Sequence, residues 1–449
     1  MTTIPGERGH WLWGSAHALA RAPHIFPAEL GWRFGGLASF RVLYRRVIAV
    51  TDADLARQIL VTRQERYRRS FHARNARAIV GNGLLSTDGA TWLGHRRQML
   101  PAFHRERLMR LRPIVREATL HLLESWEAQR REAGTVPLAA SMQALAIAVM
   151  GQALLSTRLD SGAAARFGAA VRDSLTVLRA RNNARLRLPL WMPTRANRNL
   201  VRTRGVLDRF VRGHIDNRAT ADRPGASDML DALLTSRDPE TGAPFDGAAL
   251  RDETKTLFVA GFETTATALT WVLYLLARHP DAAARWHAEL DRVLAGRPPD
   301  WPDFERLPVT RAILDEALRL YPPVYSLPRE CAAEDELGGH RIRPGTIMLV
   351  SIFGIHRSPS LWPEPDQFRP ERFAPGTRWP AHALLPFGVG KHACIGADFA
   401  STEMMMALAL IGQRYRLALA DPAPVEMAAR ITLAPAREIP LRLLPRAPA

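Results

Sequence analysis

The chain has 449 residues, 47% of them hydrophobic, which is ample for a large core, and no linker divides it. Its net charge of +17 is almost wholly arginine, since the 61 basic residues include only Lys255 and Lys391 as lysines; without a basic–aromatic module this excludes nucleic acid and leaves a solvated surface or a face for an acidic partner. Two cysteines exclude a disulfide framework, and residues 1–30 hold no unbroken apolar run, so neither a signal peptide nor a membrane span is expected and a cytoplasmic location follows.

Residues 1–39 are a turn-rich lead-in. Strands are expected at 40–43 and 47–51, on either side of Tyr44, Arg45 and Arg46, and a helix with an acidic start at 52–60. Around Gly81 and Gly83 the pattern breaks up, so 71–84 is expected to be a loop. Helical periodicity begins at Thr91. Val115, Leu122, Leu123 and Trp126 mark one stripe, and Met142, Leu145, Val149 and Met150 lie on a second apolar helix. Residues 178–204, rich in Arg and Asn and interrupted by Pro189 and Pro193, predict a surface excursion between helices. A short amphipathic helix at 228–234 and a turn at 238–242 follow.

The strongest helical segment is 252–279, ended by Pro280, about 40 Å long at the usual rise per residue. It is apolar nearly all round from Leu257 to Leu276, as a core helix or a membrane span would be. Glu263, Thr264, Thr265 and Thr267 in its middle would be costly in lipid, which favours the core. Gly261 costs about 1 kcal/mol against Ala in a helix interior. It removes bulk, while Thr264 can bond back to an earlier carbonyl. Beside Glu263 that makes a plausible proton relay; a packing glycine with a hydrogen-bonded Glu–Thr pair is the structural alternative. Glu316 and Arg319 then share one face of a helix at 309–320, which Tyr321-Pro322-Pro323 stops. The final third mixes helix, short strands and Pro-rich coil.

Phe387-Gly388-Val389-Gly390-Lys391-His392-Ala393-Cys394-Ile395-Gly396 precedes a long apolar run, 397–411. Glycines at 388, 390 and 396 allow positive φ and close backbone approach. A thiol just ahead of a helix meets unpaired N–H groups and the helix dipole, which favour thiolate, and Lys391 and His392 add donors or charge. A lone cysteine is more often a small buried hydrophobe. The ordered pattern, however, resembles the haem-ligand loop of the cytochrome P450 family.

The resemblance extends from about residue 40 to the C-terminus through five motifs in the family's order. It implies a mainly α fold with a small β portion, haem lying between a long central helix and the cysteine-loop helix, in a single domain over 1–449 with no fused reductase. Cys394 would be the axial ligand of haem b, iron protoporphyrin IX, with Phe387, Gly390 and Gly396 shaping its loop. Ala260 and Gly261 would border the haem, and Glu263–Thr264 would feed protons to dioxygen. Trp92, Arg96, Arg329 and His392, the last where many relatives carry Arg, would meet the propionates. Glu316, Arg319 and Arg372 would form a structural ion network. His356-Arg357-Ser358-Pro359 matches a further family motif except at Ser358, and no role is assigned to it. Leu84, Leu85, Val259, Val324, Leu327 and Leu433 would line an apolar substrate pocket, within 78–85, 259–260, 324–327 and 432–434.

The implied activity is a monooxygenase that uses O2 to hydroxylate or epoxidise a lipophilic fatty acid, terpenoid, steroid or polyketide. Electrons would come from NAD(P)H through a ferredoxin or flavodoxin and its reductase, docking near Arg96, Arg97 and Lys391 of a monomer. A peroxide-driven peroxygenase and a non-catalytic haem sensor or electron carrier stay as alternatives; relatives of the first kind carry Arg–Pro where Glu263–Thr264 stands.

Overall fold

Apolar side chains on both faces let Leu37–Val42 and Arg45–Val50 extend as strands, the first at the edge of a sheet and the second inside it. In the computed structural model, which describes residues 3–157, 168, 171, 173, 177, 191–220 and 228–447, they pair antiparallel, with Leu37 opposite Val50 and Val42 opposite Arg45. They begin a five-stranded sheet in the order Leu37–Val42, Arg45–Val50, Ile347–Val350, Leu327–Cys331, Tyr67–Arg69. Only the Arg45–Val50 and Ile347–Val350 neighbours run parallel. One face packs Ile48, Val50, Met348 and Val350 against Ile59, Leu60, Ile352 and Ile355. The other packs Phe40, Val47, Ala49 and Ile347 with Leu30. Helix Ala53–Arg57 starts where expected because the Asp52 carboxylate accepts from the Leu55 N–H at 2.8 Å.

This sheet belongs to the first of two compact units, Met1–Arg74 with Asp315–Cys394 and Ile431–Leu433. The second, Asn75–Leu314 with Ile395–Arg430 and Ala434–Ala449, is mostly helical. Its helices include Gly89–Met99, Arg105–Ala133, Leu138–Leu155, Gly247–Arg278, Pro280–Leu294 and Ala397–Arg414. A three-stranded sheet of Val136–Pro137, Pro440–Pro445 and Tyr415–Leu419 completes it. Two glycines let helices pack closely. A Cβ on Gly261 would lie 2.5 Å from the Met150 sulfur, and one on Gly412 would lie 2.4 Å from the Trp286 ring. Leu138–Leu155 and Gly247–Arg278 are long and apolar enough to cross a membrane, but 67% and 78% of those windows are buried within the fold, as core helices are.

Several expectations change: the lead-in expected to be turn-rich holds helices Ala16–Arg21 and Ile25–Arg33. Residues 71–80 form a helix, Phe71–Val80, where a loop was expected. The glycines mark its end: Gly81 has φ +75°, and its N–H donates to the Arg77 carbonyl. The predicted excursion at 178–204 lies outside the described residues as far as 190. Beyond it, residues 195–204 open helix Arg195–Thr220, whose start is set by the Thr194 hydroxyl accepting from the Asn197 N–H at 3.1 Å. The central helix begins at Gly247, ahead of the expected 252, because Asp246 caps it by accepting from the Ala248 and Ala249 N–H groups.

Candidate active site

The cysteine loop is fixed by its own backbone. The Cys394 N–H donates to the Phe387 carbonyl at 2.9 Å, and Ala393 N–H to Gly390 O at 3.0 Å. Gly388 and Gly390 take φ of +67° and +76°, as expected of them. Gly390 is also required by contact, since a Cβ there would sit 1.9 Å from the Leu60 carbonyl oxygen. The Lys391 N–H donates to the Gln64 side chain at 3.0 Å. Gly396 differs from the expectation: its φ is −95°, and a Cβ would make ordinary contact with Phe103 at 3.6 Å. Its place is the N-cap of Ala397–Arg414. Cys394 itself is exposed just ahead of that helix, whereas Cys331 is buried.

Behind the loop, Glu316 and Arg319 are wholly buried and paired by both forks, at 2.6 and 2.9 Å. Arg372 joins the same carboxylate at 3.4 Å, and the Arg369 N–H donates to it at 2.8 Å. Arg319 also donates to the carbonyls of His356 and Pro365, both at 2.7 Å. The His356 ring then accepts from the Leu385 N–H at 2.7 Å. Burial, with Arg319 beside it, pulls the His356 pKa down to about 3, so the ring is neutral and able to accept. Sequence reasoning quoted His356 without a role. Here it braces the start of the cysteine loop against the ion network.

On the central helix, every residue from Glu253 to Leu276 is buried except Ala260, Gly261, Glu263 and Thr264. Positions i, i+1, i+3 and i+4 share one face, so a carboxylic acid and a hydroxyl open together from an otherwise enclosed helix. The Thr264 hydroxyl donates to the Ala260 carbonyl at 2.8 Å, the back-bond expected from the sequence. Gly261 has a packing reason of its own in Met150.

Near that helix's start, buried Glu253 accepts from the Leu84 N–H at 2.9 Å and contacts His95 at 2.6 Å. Asp252 accepts from the Asn82 N–H at 2.6 Å. Glycine is needed at 81 and 83, where a Cβ would lie 2.1 Å from Asp252 and Thr256. Glu253 therefore anchors both the 81–87 loop and helix Gly89–Met99, a role that sequence reasoning missed in a helix it treated as apolar. On that second helix Trp92 is buried, and the Arg96 guanidinium lies 5.6 Å from its ring, one turn on as the spacing required.

The other predicted residues divide by burial. Leu84, Val259, Arg329 and Leu433 are buried, Leu85 and Val324 are exposed, and Leu327 packs partly against the sheet core. His392 is half-buried. Lys391 lies 3.0 Å from Glu65 and Arg97 3.5 Å from Asp238, so the positive charge expected at Cys394 and for partner docking is partly paired within the chain. Glu403, on the cysteine-loop helix, was also missed: burial pushes its carboxyl well above the ordinary range, and neither oxygen has a hydrogen-bond partner among the described residues.

Among the described residues no group of three or more His, Cys, Asp or Glu could hold a metal. One exposed cysteine, on a loop fixed by its own backbone hydrogen bonds and ahead of a helix, fits an iron that would take its remaining ligands from a bound macrocycle.

The chain matches the family model described as Cytochrome P450 over residues 4–438. It is 35% identical over 431 residues to cyclooctatin synthase of Streptomyces melanosporofaciens, covering 93% of this chain and 90% of that one. Cyclooctat-9-en-7-ol 5-monooxygenase of the same organism is 35% identical over 421 residues, 92% of this chain and 89% of that one. Pentalenene oxygenase of Streptomyces avermitilis is 31% identical over 443 residues, 97% and 96% of the two chains. The crystal structure of the cytochrome P450DA heme domain aligns with a TM-score of 0.90 at 28% identity, covering 100% of this chain and 99% of the other.

Proposed function

The chain belongs to the cytochrome P450 family, and we propose that Cys394 is the protein ligand of its haem iron and that Glu263 and Thr264 move the protons of oxygen activation. It is a haem-thiolate monooxygenase acting on lipophilic small molecules. The observation that carries the proton assignment is the break in burial at Ala260, Gly261, Glu263 and Thr264.

When bound, haem b supplies the iron chemistry that splits dioxygen. The chain's own residues do the rest. The loop from Leu385 to Cys394 holds the sulfur in one place, just ahead of the helix that Gly396 caps. Thr264, oriented by the Ala260 carbonyl, holds a proton at its Oγ1, and Glu263 resupplies it from solvent. Trp92, Arg96, Arg329 and His392 would hold the propionates, while Phe387 and Gly390 shape the cysteine loop and Gly396 caps the helix after it. Glu316, Arg319 and Arg372 keep that loop's support in register.

The substrate is assigned to the terpenoid class, as an unsaturated cyclic hydrocarbon or alcohol. Pentalenene and cyclooctat-9-en-7-ol, in the names of two relatives, support this. Leu84, Leu85, Val259, Val324, Leu327 and Leu433 are apolar, which suits such a molecule. Electrons come from NAD(P)H through a ferredoxin or flavodoxin and its reductase, in the cytoplasm, to a monomer. The test is turnover of a panel of cyclic terpenes with a surrogate ferredoxin system and isotopically labelled dioxygen. One labelled oxygen atom per product is expected. Turnover only with peroxide would establish a peroxygenase, and none across the panel would favour a sensor or carrier.

A further inference from the structure

The side of the sheet unit where the hairpin turn at 43–44 meets the N-terminal segment carries side chains that the fold does not use. Trp11 is 79% exposed, Tyr44 81% and Leu12 43%. The backbone beneath them is nevertheless fixed. His10 and Gly14 exchange hydrogen bonds of 3.0 and 2.7 Å, closing a tight turn under Trp11 and Leu12. That turn is stitched to the hairpin: the Leu43 N–H donates to Trp13 O, and the Ser15 N–H donates to Arg41 O. The Arg41 guanidinium spans both loops, donating to the carbonyls of Leu43, His10 and Trp11. Gly14 is required there, because a Cβ would lie 2.0 Å from the Arg41 carbonyl.

Guanidinium groups surround the aromatic tip. Arg45 lies over the rings of Tyr44 and Phe71 at 5.3 and 4.5 Å. Arg8, Arg41 and Arg46 line an open recess of about 570 Å³ with Trp11, where Glu7 is the one acid. Among the described residues none of these four arginines forms an ion pair with a carboxylate, although arginines elsewhere often do. A knob of indole, phenol and leucine, ringed by guanidinium groups that have no carboxylate partner among the described residues, has two matching halves. The rings suit the depth of lipid headgroups, and the guanidinium forks suit their phosphates. An acidic protein or a polynucleotide would answer the charge but leave the apolar half without a counterpart.

We infer that this knob docks the protein reversibly on an anionic lipid surface, with Trp11, Leu12 and Tyr44 entering the headgroup layer and Arg8, Arg45 and Arg46 meeting phosphate. It involves no membrane span, and it is independent of the monooxygenase assignment. The test is co-sedimentation of the haem-loaded protein with phosphatidylglycerol–phosphatidylcholine vesicles and with phosphatidylcholine alone, at low and high salt. Binding to the anionic vesicles is expected, with a blue shift of tryptophan emission. Trp11→Ser with Tyr44→Ser, and separately Arg8→Glu with Arg46→Glu, should each weaken it by at least about tenfold. Arg110→Glu with Arg202→Glu, the same charge change elsewhere, should not. An unchanged haem spectrum shows that each variant is folded. Equal loss in the remote control, full binding by the Ser pair, or no preference for anionic vesicles would overturn the proposal. So would tighter knob-dependent binding to an acidic ferredoxin or to DNA.

Discussion

His356 shows how much can depend on one neutral ring. It takes the Leu385 N–H on its Nε2 and gives its carbonyl to Arg319, so a proton on the ring would break the first bond beside an existing positive charge. Its folded pKa is about 3, well below the ordinary histidine value of about 6.5. The unfolded chain therefore binds a proton that the folded chain refuses as pH falls below about 6.5. Stability is complete above that pH and declines toward pH 3, by at most about 1.4 kcal/mol per pH unit from this group. Urea midpoints from pH 7 to pH 5 should fall, and His356→Gln should flatten the slope by about one proton. Removing the buried Glu316 carboxylate, as Glu316→Ala, should cost about 3–5 kcal/mol by leaving Arg319 and Arg372 uncompensated, read as a lower denaturation midpoint. The Glu316–Arg319 pair was legible in the sequence because its members are one helical turn apart. The role of His356 was not, because its partners lie 29 and 37 residues away and one is a backbone N–H.

Among elements, the central helix carries two demands at one place. Gly261 admits Met150 from Leu138–Leu155, and the same turn breaks burial at Glu263 and Thr264. Gly261→Ala gains about 1 kcal/mol of helix propensity and needs only the flexible end of Met150 to move aside, so the two effects nearly offset and the net change should stay within about 1 kcal/mol. Met150→Ala should make the same substitution more favourable in a double-mutant cycle; simple additivity would separate the two residues. Thr264→Val keeps the shape of the side chain and removes the hydroxyl. It should cut product formed per NAD(P)H consumed by about tenfold or more, with the haem spectrum unchanged. Long periodic helices and capping aspartates were readable from the chain. Helix Phe71–Val80 was not, because two glycines that end it and lay the following loop on Asp252 and Thr256 looked like a break in the pattern. The Arg-rich start of Arg195–Thr220 was missed because its helix propensity was outweighed by nearby prolines.

For the whole molecule, buried titratable groups of opposite sign set a pH window. The Glu403 carboxyl, raised by burial, contributes stability below the ordinary carboxylate range and loses it as pH rises toward its raised value. His356 and His287, whose pKa is lowered to about 4, act in the opposite direction. Glu403→Met should therefore stabilise the protein more at pH 8 than at pH 5, and an equal gain at both would remove Glu403 from this account. The central claim is narrower: one exposed sulfur, held by the loop from Leu385 to Cys394, ligates the haem iron. Its most direct test is the carbon monoxide spectrum of the freshly purified, reduced protein beside Cys394→Ser. The account predicts the thiolate-type red-shifted band in the parent and its loss in the variant. A parent without that band, or a Ser variant that keeps it, would contradict the account.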